Sequence, residues 1–239
     1  PAVGLGSSRT FDVGAAATER GAQREVLKLF VEQGGRLVDS SPMYGEAEDV
    51  IGDLAAELGI TAQLFLATKV WTSGREAGIR QMEESFKLLR TKRMDLMQVH
   101  NLSDWKIQLG TLREWKAQGK IRYIGITHYT ESAYDDLAKV MQSEDIDFVQ
   151  FNYSIAERAA EQRLLPLAQE RRIAVLVNRP FARAGLFAKV RGKELPPWAG
   201  EIDCNSWAQF FLKFVISHPA VTCAIPATSK AKHLLDNMQ

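Results

Sequence analysis

Residues 64–100 read LFLATKVWTSGREAGIRQMEESFKLLRTKRMDLMQVH. Two short apolar runs, 64–70 (LFLATKV) and 94–100 (MDLMQVH), flank an amphipathic stretch at 79–89. That order predicts a strand, a helix and a strand, and a helical crossover is how parallel neighbours in one sheet are joined. The alternation continues on both sides. Toward the N-terminus lie a strand at 2–5, a helix at 23–33 with Val26, Leu27 and Phe30 on one face and Gly34-Gly35 ending it, a strand at 36–39 (RLVD), and a helix at 47–58 closed by Gly59. Toward the C-terminus follow a helix at 109–118, a strand at 121–127, a helix at 132–141, a strand at 148–152, a helix at 163–171 and a strand at 173–177. A polar, Pro-containing insertion, 179–205, then precedes a helix at 206–217, a strand at 221–225 and a last helix from about 230.

Eight strands alternating with eight helices predict an α/β chain folded as a closed (β/α)8 TIM barrel, one domain over residues 1–239. The competing open doubly wound sheet lacks its phosphate-binding turn: Gly4-Leu5-Gly6 begins a G-x-G-x-x-G pattern but continues Ser7, Ser8, Arg9. Composition narrows the function. Thirty basic against 29 acidic side chains leave a net charge of +1, without the basic footprint of a nucleic-acid binder. No apolar run reaches the 18 or so residues of a membrane span. Cys204 and Cys223 supply neither a disulfide framework nor a metal site and read as buried thiols, so no metal is expected. Pro1 is not an initiator and Gln239 falls within a helical pattern, so residues are expected to be missing at both ends. A cytoplasmic location is the expectation, with any export signal lying ahead of Pro1.

In such a barrel, chemistry gathers where the strands end, at their C-terminal mouth. Asp39 ends the second strand with Tyr44 five residues later in VDSSPMYG, Lys69 lies at the end of the third in ATKVW, and His100 ends the fourth in QVHN. Each alone has an ordinary reading, as a cap, a rim charge, packing or a satisfied core histidine. Together they place three ionisable groups at the ends of apolar strands, where burial costs several kcal/mol unless they satisfy one another. A free phenol, with a pKa of about 10, gives up its proton poorly unless a cation stabilises the phenolate. Lys69 is placed to be that cation, Asp39 to hold Lys69 charged and oriented, and His100 to hydrogen-bond the oxygen that receives the proton. The set is suited to protonating a carbonyl oxygen.

VDSSPMYG, ATKVW and DLMQVHN resemble the signature segments of the aldo-keto reductases, and the resemblance extends from VGLG near the start to IPATSKAKHLLDN near the end. It implies a (β/α)8 barrel, an Asp39, Tyr44, Lys69, His100 tetrad, and reversible hydride transfer between the nicotinamide C4 of NAD(P)H and an aldehyde or ketone. A small carbonyl or alcohol is the implied substrate. Thr127 and His128 in GITHY stand where the family has a carboxamide-binding Ser-Asn pair, and Gln150 in VQFNYS matches its carboxamide-binding glutamine. Asn178 and Arg179 in VNRPF stand where many members have a Tyr-Ser pair whose Tyr stacks on the nicotinamide; an Asn has no aromatic face to offer.

Within IPATSKAKHLLDN, the resemblance assigns Thr228, Ser229, Lys230, His233 and Asn237 to the adenine and 2′-phosphate end. Ala227 replaces the family's usual Lys and His233 its usual Arg, which leaves Lys230 or Lys232 as the phosphate partner and makes NADP(H), rather than NAD(H), the expected cofactor. Trp71, directly after the Lys69 strand, is the expected aromatic wall for substrate. The rival from another class is a nicotinamide-binding sensor or regulatory subunit on the same barrel. Oligomeric state and the physiological substrate are not legible in the sequence.

Overall fold

A computed structural model describes residues 2–14 and 16–239, and in it eight parallel strands follow one another around one sheet in chain order. They are β1 (Leu5–Gly6), β2 (Leu37–Asp39), β3 (Phe65–Val70), β4 (Met94–Val99), β5 (Ile121–Thr127), β6 (Phe148–Asn152), β7 (Ala174–Asn178) and β8 (Val221–Ala224). The sheet closes on itself. Val3 bridges Ala224 and Gly6 bridges Ala227, with Gly4 N donating to Ala224 O at 2.8 Å and Gly6 N to Pro226 O at 2.9 Å. The close approach needs glycine: a Cβ at Gly4 would stand 2.9 Å from Leu37 O, and one at Gly6 2.8 Å from Ile225 O. The fold is therefore the closed (β/α)8 barrel, with the first strand shifted from the expected 2–5 to Leu5–Gly6 and an isolated bridge at Val3.

Helices α1 (Ala17–Glu32), α2 (Ala47–Glu57), α3 (Arg75–Leu88), α4 (Trp105–Ala117), α5 (Tyr134–Ser143) and α6 (Leu164–Arg171) pack outside the strands. Three of them start earlier than the apolar period predicts. For α1 the reason is Arg20, buried on a turn with no apolar anchor because it pairs with Asp49 at 2.9 Å and Asp53 at 2.6 Å on α2. The 179–205 insertion, expected to be irregular, contains a short helix α7 (Gly185–Lys189) and a 3-10 turn at Pro197–Ile202, ahead of α8 (Trp207–Ile216) and α9 (Ala231–Asn237). Aromatic rings pin it: Phe181 to Phe187 at 4.9 Å, Phe187 to Phe211 at 5.9 Å and Trp198 to Phe210 at 5.5 Å between centroids. None of the helices among the described residues is long and apolar enough to cross a membrane.

The core has two parts. A large cluster fills the space between strands and helices, while a smaller one (Leu37, Ala67, Leu96, Leu176, Cys223 and Ile225) plugs the barrel itself. Alternate residues of a strand point the same way, so Asp39, Lys69 and Gln98, two residues beyond Leu37, Ala67 and Leu96, share the barrel-facing side. The barrel thus carries a polar layer stacked directly on an apolar floor.

Candidate active site

Lys69 is fully buried in that polar layer. Its Nζ donates to Asp39 Oδ2 at 2.7 Å and to the Ser40 carbonyl at 2.6 Å. The second carboxylate oxygen, Asp39 Oδ1, accepts from Gln150 Nε2 at 3.0 Å and from Gln98 Nε2 at 3.3 Å. A buried ion pair is tolerable when neighbouring groups bond it further, as Ser40 does for Lys69 and Gln150 and Gln98 do for Asp39. Burial works against the charge on Lys69, but Asp39 and Tyr44 outweigh it and hold the ammonium above its ordinary pKa.

Tyr44 sits in the turn after β2, its backbone N bonded to Ser41 O at 3.0 Å. Lys69 Nζ lies 5.0 Å from the centre of its ring, and the His100 ring stands edge-on to it at 6.0 Å. Burial pushes the Tyr44 pKa up; Lys69 pulls it down without overcoming the burial. In the free protein burial outweighs the Lys69 cation, so the Tyr44 phenol holds its proton with that cation beneath the ring. His100 opens a 3-10 turn, His100–Leu102, directly after β4. Its Nδ1 lies 3.0 Å from Ser41 Oγ, which itself accepts from Met43 N at 3.3 Å. Burial, then Lys69, lowers the His100 pKa to about 3, so the imidazole is neutral at physiological pH.

Tyr44, His100 and Asp39 face a cavity of about 1070 Å³ at the strand ends. Of the residues expected at a cofactor, Thr127, Gln150, Asn178, Arg179, Thr228, His233 and Asn237 line it. His128, Ser229, Lys230 and Trp71 are not among its lining residues. The His128 Nδ1 instead accepts from Tyr129 N at 3.1 Å and Thr130 N at 3.2 Å, and its ring stacks on Tyr129. Lys230 is exposed, with its backbone N bonded to Thr228 Oγ1 at 3.1 Å. Trp71 is largely exposed, 6.5 Å from the His100 ring.

Several residues of the site went unread in the sequence. Gln98 was legible in principle, because period-two alternation from Leu96 points it inward beside Lys69. Arg9 and Arg183, which also line the cavity, had no such signal. Arg179, Ala182, Arg183 and Ala184 all adopt left-handed backbone conformations without being glycine, a strained run that the sequence does not advertise. Two buried amide oxygens at the cavity, Asn101 Oδ1 and Asn178 Oδ1, have no partner.

A closed barrel with a buried lysine–aspartate pair under a phenol, a neutral imidazole alongside and a large cavity above defines a site for carbonyl chemistry. A sequence model of the aldo/keto reductase family matches residues 2–239, and the chain belongs to that family of oxidoreductases. Among curated relatives, methylglyoxal reductase YeaE of Escherichia coli (strain K12) is 29% identical over 245 residues, covering 99% of this chain and 84% of that protein. Among solved structures, an aldo-keto reductase from Klebsiella pneumoniae in complex with NADPH superposes with a TM-score of 0.85 at 26% identity, covering 100% of this chain and 84% of that one. The thermostable aldo-keto reductase Tm1743, solved with the inhibitor epalrestat, gives a TM-score of 0.80, also at 26% identity, over 100% and 88% of the two chains.

Proposed function

We propose that this protein reduces a small aldehyde or ketone with NADPH, with Tyr44 as the proton donor. The observation that carries the reading is the Lys69 ammonium, fully buried, bound to Asp39 and held beneath the Tyr44 ring at the floor of an open cavity. Raised by burial, the phenol keeps its proton until a carbonyl oxygen accepts it; Lys69 then stabilises the phenolate left behind. With the Ser41 hydroxyl as donor to His100 Nδ1, the imidazole proton sits on Nε2 as a second donor to the same oxygen.

The cavity's chemistry fits a nicotinamide dinucleotide. The unpartnered amide of Asn178 and the side chains of Thr127 and Gln150 suit a carboxamide, and Arg9, Thr228, His233 and Asn237 suit the phosphate and adenine end. Bound there, the cofactor supplies the hydride that the carbonyl carbon takes up. Arg9 brings a charged fork that the sequence comparison did not assign, which supports NADPH over NADH. Stopped-flow mixing of the NADPH-loaded protein with methylglyoxal tests the reading: single-turnover loss of the 340 nm absorbance supports it, and NADPH that stays reduced under a range of aldehydes excludes it.

A further inference from the structure

The four groups of the reacting corner carry little net charge. Lys69 and Asp39 neutralise each other, Tyr44 holds its proton and His100 is neutral. Arg179, the first residue after β7, lines the same cavity as Tyr44 and His100 and is different. Its guanidinium lies on the Tyr129 ring, 4.5 Å from the centroid, and Nη1 donates to Tyr129 O at 3.3 Å. Among the ion pairs of the described residues none includes it. Burial, then the like charge of Arg183, pushes its pKa down, and Glu157 pulls it back only from beyond pairing distance. A guanidinium remains charged regardless. Following directly on Asn178 at the end of β7, Arg179 brings its positive charge to bear on Tyr44, lowering the phenol's pKa against the burial that raises it. Arg179 is therefore a fixed, uncompensated cation at the end of the cavity where the chemistry happens.

We propose that Arg179 makes this protein discriminate between the two oxidation states of its cofactor, favouring the reduced form by holding a positive charge beside the ring that turns cationic. The proposal rests on the carbonyl-reductase reading above. When hydride, a proton with two electrons, leaves C4 for the carbonyl carbon and Tyr44 gives its proton to the oxygen, the nicotinamide changes from neutral to singly positive. The phosphates are the same in both states. A cation near the ring thus repels only the oxidised form, whereas a cation on the phosphates holds both equally. The Tyr129 ring and carbonyl keep the guanidinium in place without neutralising it, which a carboxylate partner would do. The consequence for turnover is fast release of spent cofactor.

The test is equilibrium binding, read by tryptophan fluorescence, of NADPH and NADP+ to the wild type, Arg179→Gln and Arg179→Lys at low salt. The wild type is expected to bind NADPH at least about tenfold more tightly than NADP+. Arg179→Gln should cut that ratio about tenfold, chiefly by tightening NADP+, and Arg179→Lys should keep most of it. Equal weakening of both ligands would place Arg179 on the phosphates and overturn the proposal, as would an unchanged ratio; both leave the reductase reading standing. A wild type that binds neither nucleotide overturns that reading and the proposal together.

Discussion

The two sides of the cavity are built on different plans. On the side of β2, β3 and β4, Lys69, Gln98 and, from β6, Gln150 are all bonded to Asp39, and Ser41 to His100, at 3.3 Å or less, with both Asp39 oxygens satisfied. On the side of β7 and the insertion, among the described residues, Asn178 Oδ1 has no partner and Arg179 has no carboxylate within pairing distance. A densely bonded polar network is rigid before anything binds; a sparsely bonded one is completed by what binds. The first arrangement suits proton transfer, which depends on sub-ångström placement. The second suits a ligand that must enter and leave.

The difference has measurable consequences. Lys69→Met leaves Asp39 buried without its cation and should cost about 3–5 kcal/mol of stability as well as activity. Adding Asp39→Asn should restore part of it, so additive melting shifts in the double-mutant cycle would break the idea of a self-satisfied corner. Tyr44→Phe should fold normally and bind NADPH as before while carbonyl reduction falls about a hundredfold or more, measured as single-turnover rate. The His100 pKa is lowered in the fold, so the unfolded chain takes up a proton that the folded one refuses as pH drops. Stability should be intact above about pH 6.5 and fall by about 2 kcal/mol by pH 5, a slope that chemical denaturation of His100→Gln should lack. On the ligand side the smallest effect is expected for Lys230→Ala, exposed and off the cavity: NADPH affinity should move by no more than about twofold, and a larger loss would redraw the phosphate end.

The same contrast decides what the sequence can tell. The barrel and the tetrad positions were legible because strands announce themselves by apolar β-branched runs, and a charged residue at the end of such a run has to be paired. Helix starts were not. The first turn of α3 lacks the apolar repeat, and the first turns of α1 are anchored by the Arg20 pairs with Asp49 and Asp53 on another helix. Nor did the sequence reveal that burial outweighs Lys69 at Tyr44, since that balance depends on how much water the fold removes. The insertion stayed darkest because its order comes from long-range ring contacts and from left-handed arginines and alanines, where no glycine marks the turn.

The seam between Val3 and Ala224 joins nearly opposite ends of the chain, whereas β3, β4 and β5 pair with neighbours one helix away. Contacts between residues so far apart in sequence carry the largest loop-closure cost, so they form late and are the first candidates to open. The wall holding the phenol and its lysine can therefore assemble while the last strand is still unmade. The cavity mouth beside Ala227 and Thr228 exists only once the circle is shut, which makes cofactor binding a report on the completion of folding.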